Sequence, residues 1–151
     1  MADFDAVVIG GGITGAGVVR DLALRGLRVV LLERGEPGMA TTAASTHLIH
    51  GGLRYLLYDR PTTHTTCWDS GNIRRIAAPL LTRMPILWPV YRGHSHGLET
   101  VETLFEEYDK FQPMKYGRPH LRLSADACAR VVPGLSTGEA LSWDGSIALI
   151  D

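Results

Sequence analysis

Ala6-Val7-Val8-Ile9-Gly10-Gly11-Gly12-Ile13-Thr14-Gly15 is the stretch on which the fold turns. Its first four residues form a continuous apolar run that ends at glycine, the pattern of a strand buried on both faces of a parallel sheet. Gly10, Gly12 and Gly15 then spell GxGxxG directly after that strand and ahead of a helical pattern. Each glycine has a physical task there. Gly10 permits the tight turn, Gly12 lets backbone approach a pyrophosphate, and Gly15 lets the helix close on the strand. The backbone amides of Gly10, Gly12, Ile13, Thr14 and Gly15, with the positive end of the helix dipole, are therefore the candidate phosphate cradle.

Outward from the turn, Ile13 to Arg25 carries helical spacing, with Ile13, Ala16, Val19 and Ala23 on one face, Val18 and Leu22 beside them, and Arg20, Asp21 and Arg25 toward water. Gly26 is placed to stop this helix. Arg28-Val29-Val30-Leu31-Leu32-Glu33 reads as a second buried strand. Glu33 stands at its end, about 20 residues beyond the glycines, where an acid accepts hydrogen bonds from both ribose hydroxyls and repels a 2′-phosphate. That favours FAD or NAD over NADP, and the fingerprint alone does not separate the two. The predicted class is α/β, with a Rossmann-like βαβ start on a parallel sheet.

Gly38-Met39-Ala40-Thr41-Thr42-Ala43-Ala44-Ser45-Thr46 is small and hydroxyl-rich, suited to close backbone approach and to donating toward a ligand. Ala40 to Gly52 is expected along the same cleft as the glycine turn. Pro61 to Gly71, with four threonines, has too little periodicity to assign. Ile73 to Leu81 reads as a helix tail that stops near Pro79, and Pro85 to Tyr91 as an extended apolar strand interrupted by prolines. Leu98 to Phe111 is amphipathic: Val101, Leu104, Phe105, Tyr108 and Phe111 make the apolar stripe, and Glu99, Glu102, Glu106 and Glu107 the solvated side. Leu121 to Leu123 suggests a strand, and Ser124 the cap of a helix that the Pro133-Gly134 turn ends.

Composition excludes other classes. A net charge of −1 gives no basic field for nucleic acid. Cys67 and Cys128 form no CxxC pair, which argues against a disulfide framework or a zinc site and fits a reducing compartment. They read as ordinary buried thiols. His94-Ser95-His96 looks like a metal pair but lacks a third ligand nearby, so no metal is expected. The acidic start leads straight into a strand and reads as neither signal nor transit peptide. No apolar run reaches the roughly 18 residues of a membrane span. Trp88 to His96, with Arg92 among aromatics and histidines, suits lipid headgroups or an inter-domain contact.

Two longer blocks carry a family resemblance. Ile9 to Gly17 with Arg20-Asp21-Leu22-Ala23-Leu24-Arg25-Gly26-Leu27, and Ser45-Thr46-His47-Leu48-Ile49-His50-Gly51-Gly52-Leu53-Arg54-Tyr55-Leu56, resemble the FAD-dependent glycerol-3-phosphate dehydrogenases. A weaker likeness continues through Ala78-Pro79-Leu80 and the Pro85 strand to Trp143-Asp144-Gly145. The chain departs from that pattern at His47, where the family has lysine, at Ala43 and Ala44, and through Pro61 to Gly71.

The resemblance implies FAD as cofactor and oxidation of sn-glycerol 3-phosphate to dihydroxyacetone phosphate, with electrons passed to a membrane quinone. It implies that Thr42, Ser45, Leu48, Ile49, His50 and Gly52 join the glycine turn and Glu33 around the cofactor. It also implies that Arg54 and Tyr55 reach the substrate, where a guanidinium fork suits a phosphate or a developing alkoxide. Residues 1–83 would supply the FAD-binding portion and 84–151 the start of a substrate or cap lobe. The base and further phosphate-binding arginines would come from beyond residue 151, with the missing carboxy-terminal half on another chain as one source. The chain alone is then expected to be inactive and to expose apolar strand faces and part of the Leu104–Phe105–Tyr108 stripe. A cytoplasmic protein, peripheral on the inner face of the membrane, fits this reading. Two rivals stand beside it: an amine or amino-acid oxidase of the same superfamily, which the Leu48 to Leu56 block disfavours, and a nucleotide-binding module without turnover.

Overall fold

The structure, a computed structural model, describes residues 3–91, 95–135 and the backbone of 139–148. The chain divides into two units, residues 1–47 and 48–151.

In the first unit the strands β1 (Ala6–Ile9) and β2 (Val29–Leu32) are joined by helix α1 (Ile13–Leu24). They pair in parallel, in register from Ala6 opposite Val29 to Ile9 opposite Leu32. Helix α1 stops as expected. Gly26 has φ +83°, its N–H bonds to the Ala23 carbonyl and that of Leu27 to the Leu22 carbonyl, a Schellman arrangement. The Asp5 carboxylate ties the strand starts together, accepting the Arg28 N–H at 2.8 Å and its guanidinium at 2.9 Å.

Two expectations for this unit fail on burial. Strand β1 is covered on one face only among the described residues, whereas in β2 Val29, Val30 and Leu31 are all half-buried and Leu32 is exposed. Ala6 and Val8 are half-buried, whereas Val7 is 57% and Ile9 85% exposed. The half-buried line of α1 is Gly15, Val19 and Leu22, while Ile13, Ala16 and Ala23 are exposed. The reason lies at Gly15, where the helix comes closest to β1. A Cβ there would run into the Gly10 carbonyl and lie 3.6 Å from Val8 Cγ1. The contact stripe therefore passes through a residue that carries no apolar side chain to announce it.

In the second unit β3 (Leu48–Ile49), α2 (Arg60–Ile76), β4 (Leu81–Val90), α3 (Leu98–Asp109), β5 (Leu121–Leu123), α4 (Ala125–Val131) and β6 (Glu139–Ala148) follow in order. Short 3₁₀ turns lie at Leu53–Tyr55, Ala78–Leu80 and Gln112–Lys115. Strand β6 is central and antiparallel to all its partners. Strand β4 runs along one side of it, from Leu81 opposite Ala148 to Val90 opposite Glu139. On the other side β3 and β5 pair with it end to end. Pro85 and Pro89 lie four residues apart in β4 and so share one orientation. A proline without an N–H is accommodated in a ladder when it faces the open edge, which it also blunts against further pairing. The Ser124 cap is present, its Oγ accepting the Ala127 N–H at 3.3 Å.

Pro61 to Gly71, unassigned from sequence, is the body of α2. Asp59 caps it by accepting the Thr62 N–H at 3.1 Å, and Pro61 sits in the first turn. Its buried stripe is Thr63, Cys67, Ser70 and Gly71. These residues are small and polar, so the helix shows no apolar period. They allow backbone-close packing, and a Cβ at Gly71 would run into the Met114 carbonyl.

Helix α3 buries Val101, Phe105 and Tyr108, with Phe111 just beyond it. The expected exposure of the Leu104–Phe105–Tyr108 stripe is not found, since Leu104 is half-buried and the other two are buried. Cover comes from within the unit: Leu56 and Cys67 meet Tyr108 and Phe111, and the Trp88 ring meets Phe105 edge-on at 5.9 Å. Nor is the acidic side wholly solvated. Glu102 is 3.0 Å from Arg122, and Asp109 binds the His120 ring at 2.8 Å, docking β5 on α3.

Candidate functional site

The first unit assembles the glycine turn as a cradle. Gly10, with φ +102° in the region that favours glycine, donates its N–H to the Leu32 carbonyl at 2.8 Å and so ties the turn to β2. Ala16 N–H is the first in α1 to reach back to its own helix, at Gly12 O. Thr14 and Gly15 therefore present N–H groups without an intrahelical acceptor. The Ile13 N–H is met by Thr42 Oγ1 at 3.0 Å, a cap supplied from 29 residues downstream. A Cβ on Gly12 would come within 3.1 Å of the same oxygen.

Glu33 follows β2 directly and turns toward the glycines. Its Oε2 accepts the Gly11 N–H at 2.6 Å and its Oε1 the Gly35 N–H at 2.9 Å. These two amides, Gly11 first, hold the carboxyl below its ordinary range, so it is ionised at neutral pH. An ionised carboxylate has lone pairs to spare for hydroxyl donors. A cleft of about 420 Å³ opens beside the turn, lined by Val8, Gly10, Gly12, Ile13, Ala40 and Thr42 among others. Ser45 is engaged within its own loop, donating to the Thr42 carbonyl at 2.9 Å and accepting the His47 N–H at 3.2 Å. His47 itself has φ +55°.

Leu48, Ile49, His50 and Gly52 belong to the second unit. Leu48 and Ile49 are β3. His50 is exposed, and its Nδ1 accepts the Gly52 N–H at 3.1 Å. A neutral ring in that bond carries its proton on Nε2 and presents a donor outward. Gly52 has φ +70° and caps the 3₁₀ turn that carries Arg54 and Tyr55. The exposed Arg54 guanidinium stands over the Tyr55 ring, 4.7 Å from its centroid, and donates to the Tyr55 hydroxyl. Tyr58 meets Tyr55 edge-on at 5.9 Å. The guanidinium is thus anchored on an aromatic while remaining exposed to solvent.

The buried surroundings of Gly51 carry no signal in the sequence. Cys67 donates to the Gly51 carbonyl at 3.0 Å and Thr63 to the Gly52 carbonyl at 3.2 Å. A Cβ on Gly51 would overlap the Tyr108 hydroxyl and lie 2.7 Å from Cys67 Sγ. Burial pushes the Cys67 thiol and, further, the Tyr108 phenol above their ordinary ranges, so both are protonated. Cys128 is likewise a free, buried cysteine. His94 and Arg92 lie outside the described residues, and among the described residues no cluster of three metal-ligating side chains occurs. No described helix is long and apolar enough to cross a membrane.

The family described as FAD dependent oxidoreductase matches residues 5–148. An alpha-glycerophosphate oxidase from Enterococcus casseliflavus is 36% identical over 110 residues, 71% of this chain and 18% of that protein. An aerobic glycerol-3-phosphate dehydrogenase from Staphylococcus saprophyticus is 35% identical over 127 residues, 82% of this chain and 22% of that protein. The chain thus spans about a fifth of the length of these curated relatives. In fold it is similar to a dithionite-reduced L-alpha-glycerophosphate oxidase from Mycoplasma pneumoniae with FAD bound, at TM-score 0.64 and 16% identity, over 99% of this chain and 39% of that one.

Proposed function

Since this chain belongs to the FAD dependent oxidoreductase family, we propose that it serves oxidation of sn-glycerol 3-phosphate to dihydroxyacetone phosphate. The observation that carries the cofactor half is Glu33, whose ionised carboxylate sits on the Gly11 amide at the mouth of the glycine cradle. The substrate half is supported by the relatives' names and by the Arg54–Tyr55 pair.

The residues present fit FAD. The N–H groups of Thr14 and Gly15 at the start of α1 suit a pyrophosphate, and Glu33 suits the ribose hydroxyls. Gly12 leaves room for close approach, and Thr42, accepting from Ile13, keeps its own hydroxyl proton for donation. Ser45, Leu48, Ile49, His50 and Gly52 complete the contacts in this reading, His50 through its Nε2–H. FAD supplies the two-electron acceptor for the hydride that leaves the substrate carbon. Arg54 binds the phosphate or the developing alkoxide through its planar fork, and the Tyr55 hydroxyl donates to the same oxygen. The substrate's hydroxyl proton goes to a base supplied, like further phosphate-binding arginines, by polypeptide other than residues 1–151.

The finer parts of the proposal concern the setting. Residues 1–83 are the cofactor portion and 84–151 the start of a substrate lobe, a functional division distinct from the two structural units. A membrane quinone takes the electrons at the inner face of the cytoplasmic membrane. The test is to purify the protein, alone and with a co-expressed carboxy-terminal half of a relative. Flavin absorbance, dye reduction and quinone reduction are then measured with sn-glycerol 3-phosphate and with glycine. Protein that never retains flavin would remove the cofactor role. Reduction by glycine and not by the phosphate would move the enzyme to the amine oxidases.

A further inference from the structure

We propose that Tyr108 and Thr63 are positioning residues, which act through the Gly51–Gly52 backbone to set the direction of His50 and of the Arg54–Tyr55 pair. The proposal rests on the reading above for what those residues do, and on the structure of the second unit for how they are held.

His50 and Arg54 are exposed and Tyr55 is half-exposed, and their described contacts are local ones: His50 with Gly52, Arg54 with Tyr55, and Tyr55 with Tyr58. What they share is their attachment. All three extend from the Gly51–Gly52 pair, which is buried. The Gly52 N–H is the partner of His50 Nδ1, and the Gly52 carbonyl accepts the Tyr55 N–H at 2.9 Å to open the 3₁₀ turn. Displacing this peptide therefore moves the imidazole and the guanidinium together.

The pair is gripped from two helices. From α2, Thr63 Oγ1 donates to the Gly52 carbonyl and Cys67 to the Gly51 carbonyl, and both side chains are fully buried. From α3, the Tyr108 hydroxyl lies where a Gly51 side chain would begin, and it accepts a long hydrogen bond from Cys67 Sγ at 3.9 Å. Lys115 stands over the Tyr108 ring, 4.9 Å from its centroid, and closes the far side. A core needing only volume here would be filled by apolar groups at lower desolvation cost. Instead, a buried hydroxyl and a buried thiol donate to two consecutive carbonyls, and a third buried polar group, the Tyr108 hydroxyl, occupies the space beside Gly51. That arrangement fixes a peptide orientation rather than merely filling space.

The experiment uses variants that remove one polar group and keep volume: Tyr108→Phe, and Thr63→Val with Thr63→Ser as the conservative control. The first readout is the His50 side-chain ¹⁵N spectrum of the full chain at alkaline pH. Wild type should show the Nε2–H tautomer, Tyr108→Phe and Thr63→Val a mixture, and Thr63→Ser the wild-type pattern. The second readout is kinetic, on flavin-loaded protein completed by the co-expressed carboxy-terminal half, with sn-glycerol 3-phosphate. Loss of one such hydrogen bond should lower kcat/KM by about three- to tenfold with flavin content unchanged, and Thr63→Ser should restore it. A wild-type tautomer and wild-type kinetics in both Tyr108→Phe and Thr63→Val would overturn the proposal. Should Tyr108→Phe fail to fold, the Thr63 pair decides by the same criterion. Should the completed wild type not use glycerol 3-phosphate, the proposed function fails, while the tautomer still decides the positioning role.

Discussion

A methyl group added at Gly71 and the same group added at Gly17 should move stability in opposite directions. Both glycines lie inside α-helices. By intrinsic propensity alone, Gly→Ala in a helix gains about 1 kcal/mol. At Gly17 nothing lies within 4 Å of the new Cβ, so Gly17→Ala should keep most of that gain. At Gly71 the Cβ would overlap the Met114 carbonyl oxygen and stand 3.0 Å from its carbon and 3.3 Å from Lys115 Cα. These are backbone atoms of the Gln112–Lys115 turn and cannot swing aside as a side chain would. Overpacking of this kind costs about 1–3 kcal/mol. The same turn holds Arg74, whose guanidinium donates to the Lys115 carbonyl at 2.5 Å. Moving the turn weakens that bond, worth about 1 kcal/mol more. Clash thus outweighs propensity, and Gly71→Ala should destabilise by about 1–3 kcal/mol net. For a chain of this size 1 kcal/mol moves Tm by about 2–4 °C. Scanning calorimetry of the two variants beside wild type reads both signs. A Gly71→Ala protein that melts at or above wild type would show that α2 and the turn do not meet as described.

Replacing Glu33 by Gln should reduce retained FAD and by Ala reduce it further, measured as flavin absorbance per protein; equal content in all three would remove Glu33 from the site. In the enzyme completed by a carboxy-terminal half, Arg54→Lys should leave flavin content unchanged and raise KM for sn-glycerol 3-phosphate on the order of tenfold, because lysine keeps the charge and loses the fork. Unchanged kinetics would take Arg54 out of the substrate site. Acid should selectively weaken α2. The Thr62 hydroxyl and then its N–H hold the Asp59 carboxyl below its ordinary 3.8, so the cap is complete above that pH and is lost as pH falls through the lower folded value. In thermal melts Asp59→Asn, which keeps an acceptor without a charge to titrate, should track wild type at neutral pH and lose less stability below about pH 4.

What could be read in the sequence was what is local. The strand, the glycine turn, the helix and Glu33 lie within one short stretch, and each residue's task there follows from its own covalent structure. Helix α1 ends at Gly26 and α4 begins at Ser124 for the same reason, because a cap is chosen within one turn of chain. The failures share a different cause. Helix α2 was hidden because Thr63, Cys67, Ser70 and Gly71 bury a face without being apolar. Strand β6 was hidden because Asp144-Gly145, a turn signal in isolation, lies mid-strand and is overruled by pairing with three distant partners. The grip on Gly51 and Gly52 joins residues up to 57 positions apart, and nothing in a chain's local chemistry reports such a meeting.

The place of β6 has a consequence for how the protein is made. Strands β3, β4 and β5 each find their described partner in β6, which is the last of the described strands in chain order. The first unit needs only neighbours: β1 meets β2 as soon as residue 32 has cleared the ribosome. At about 5–20 residues per second, the roughly 58 residues between the end of β4 and the end of β6 take about 3–12 s to appear. During that interval the apolar β4, ten residues long, is a strand without a mate. Pro85 and Pro89 then act in time as well as in space. They break up the donor row of the outer edge, the one β6 does not cover, and so blunt that edge against a second nascent chain.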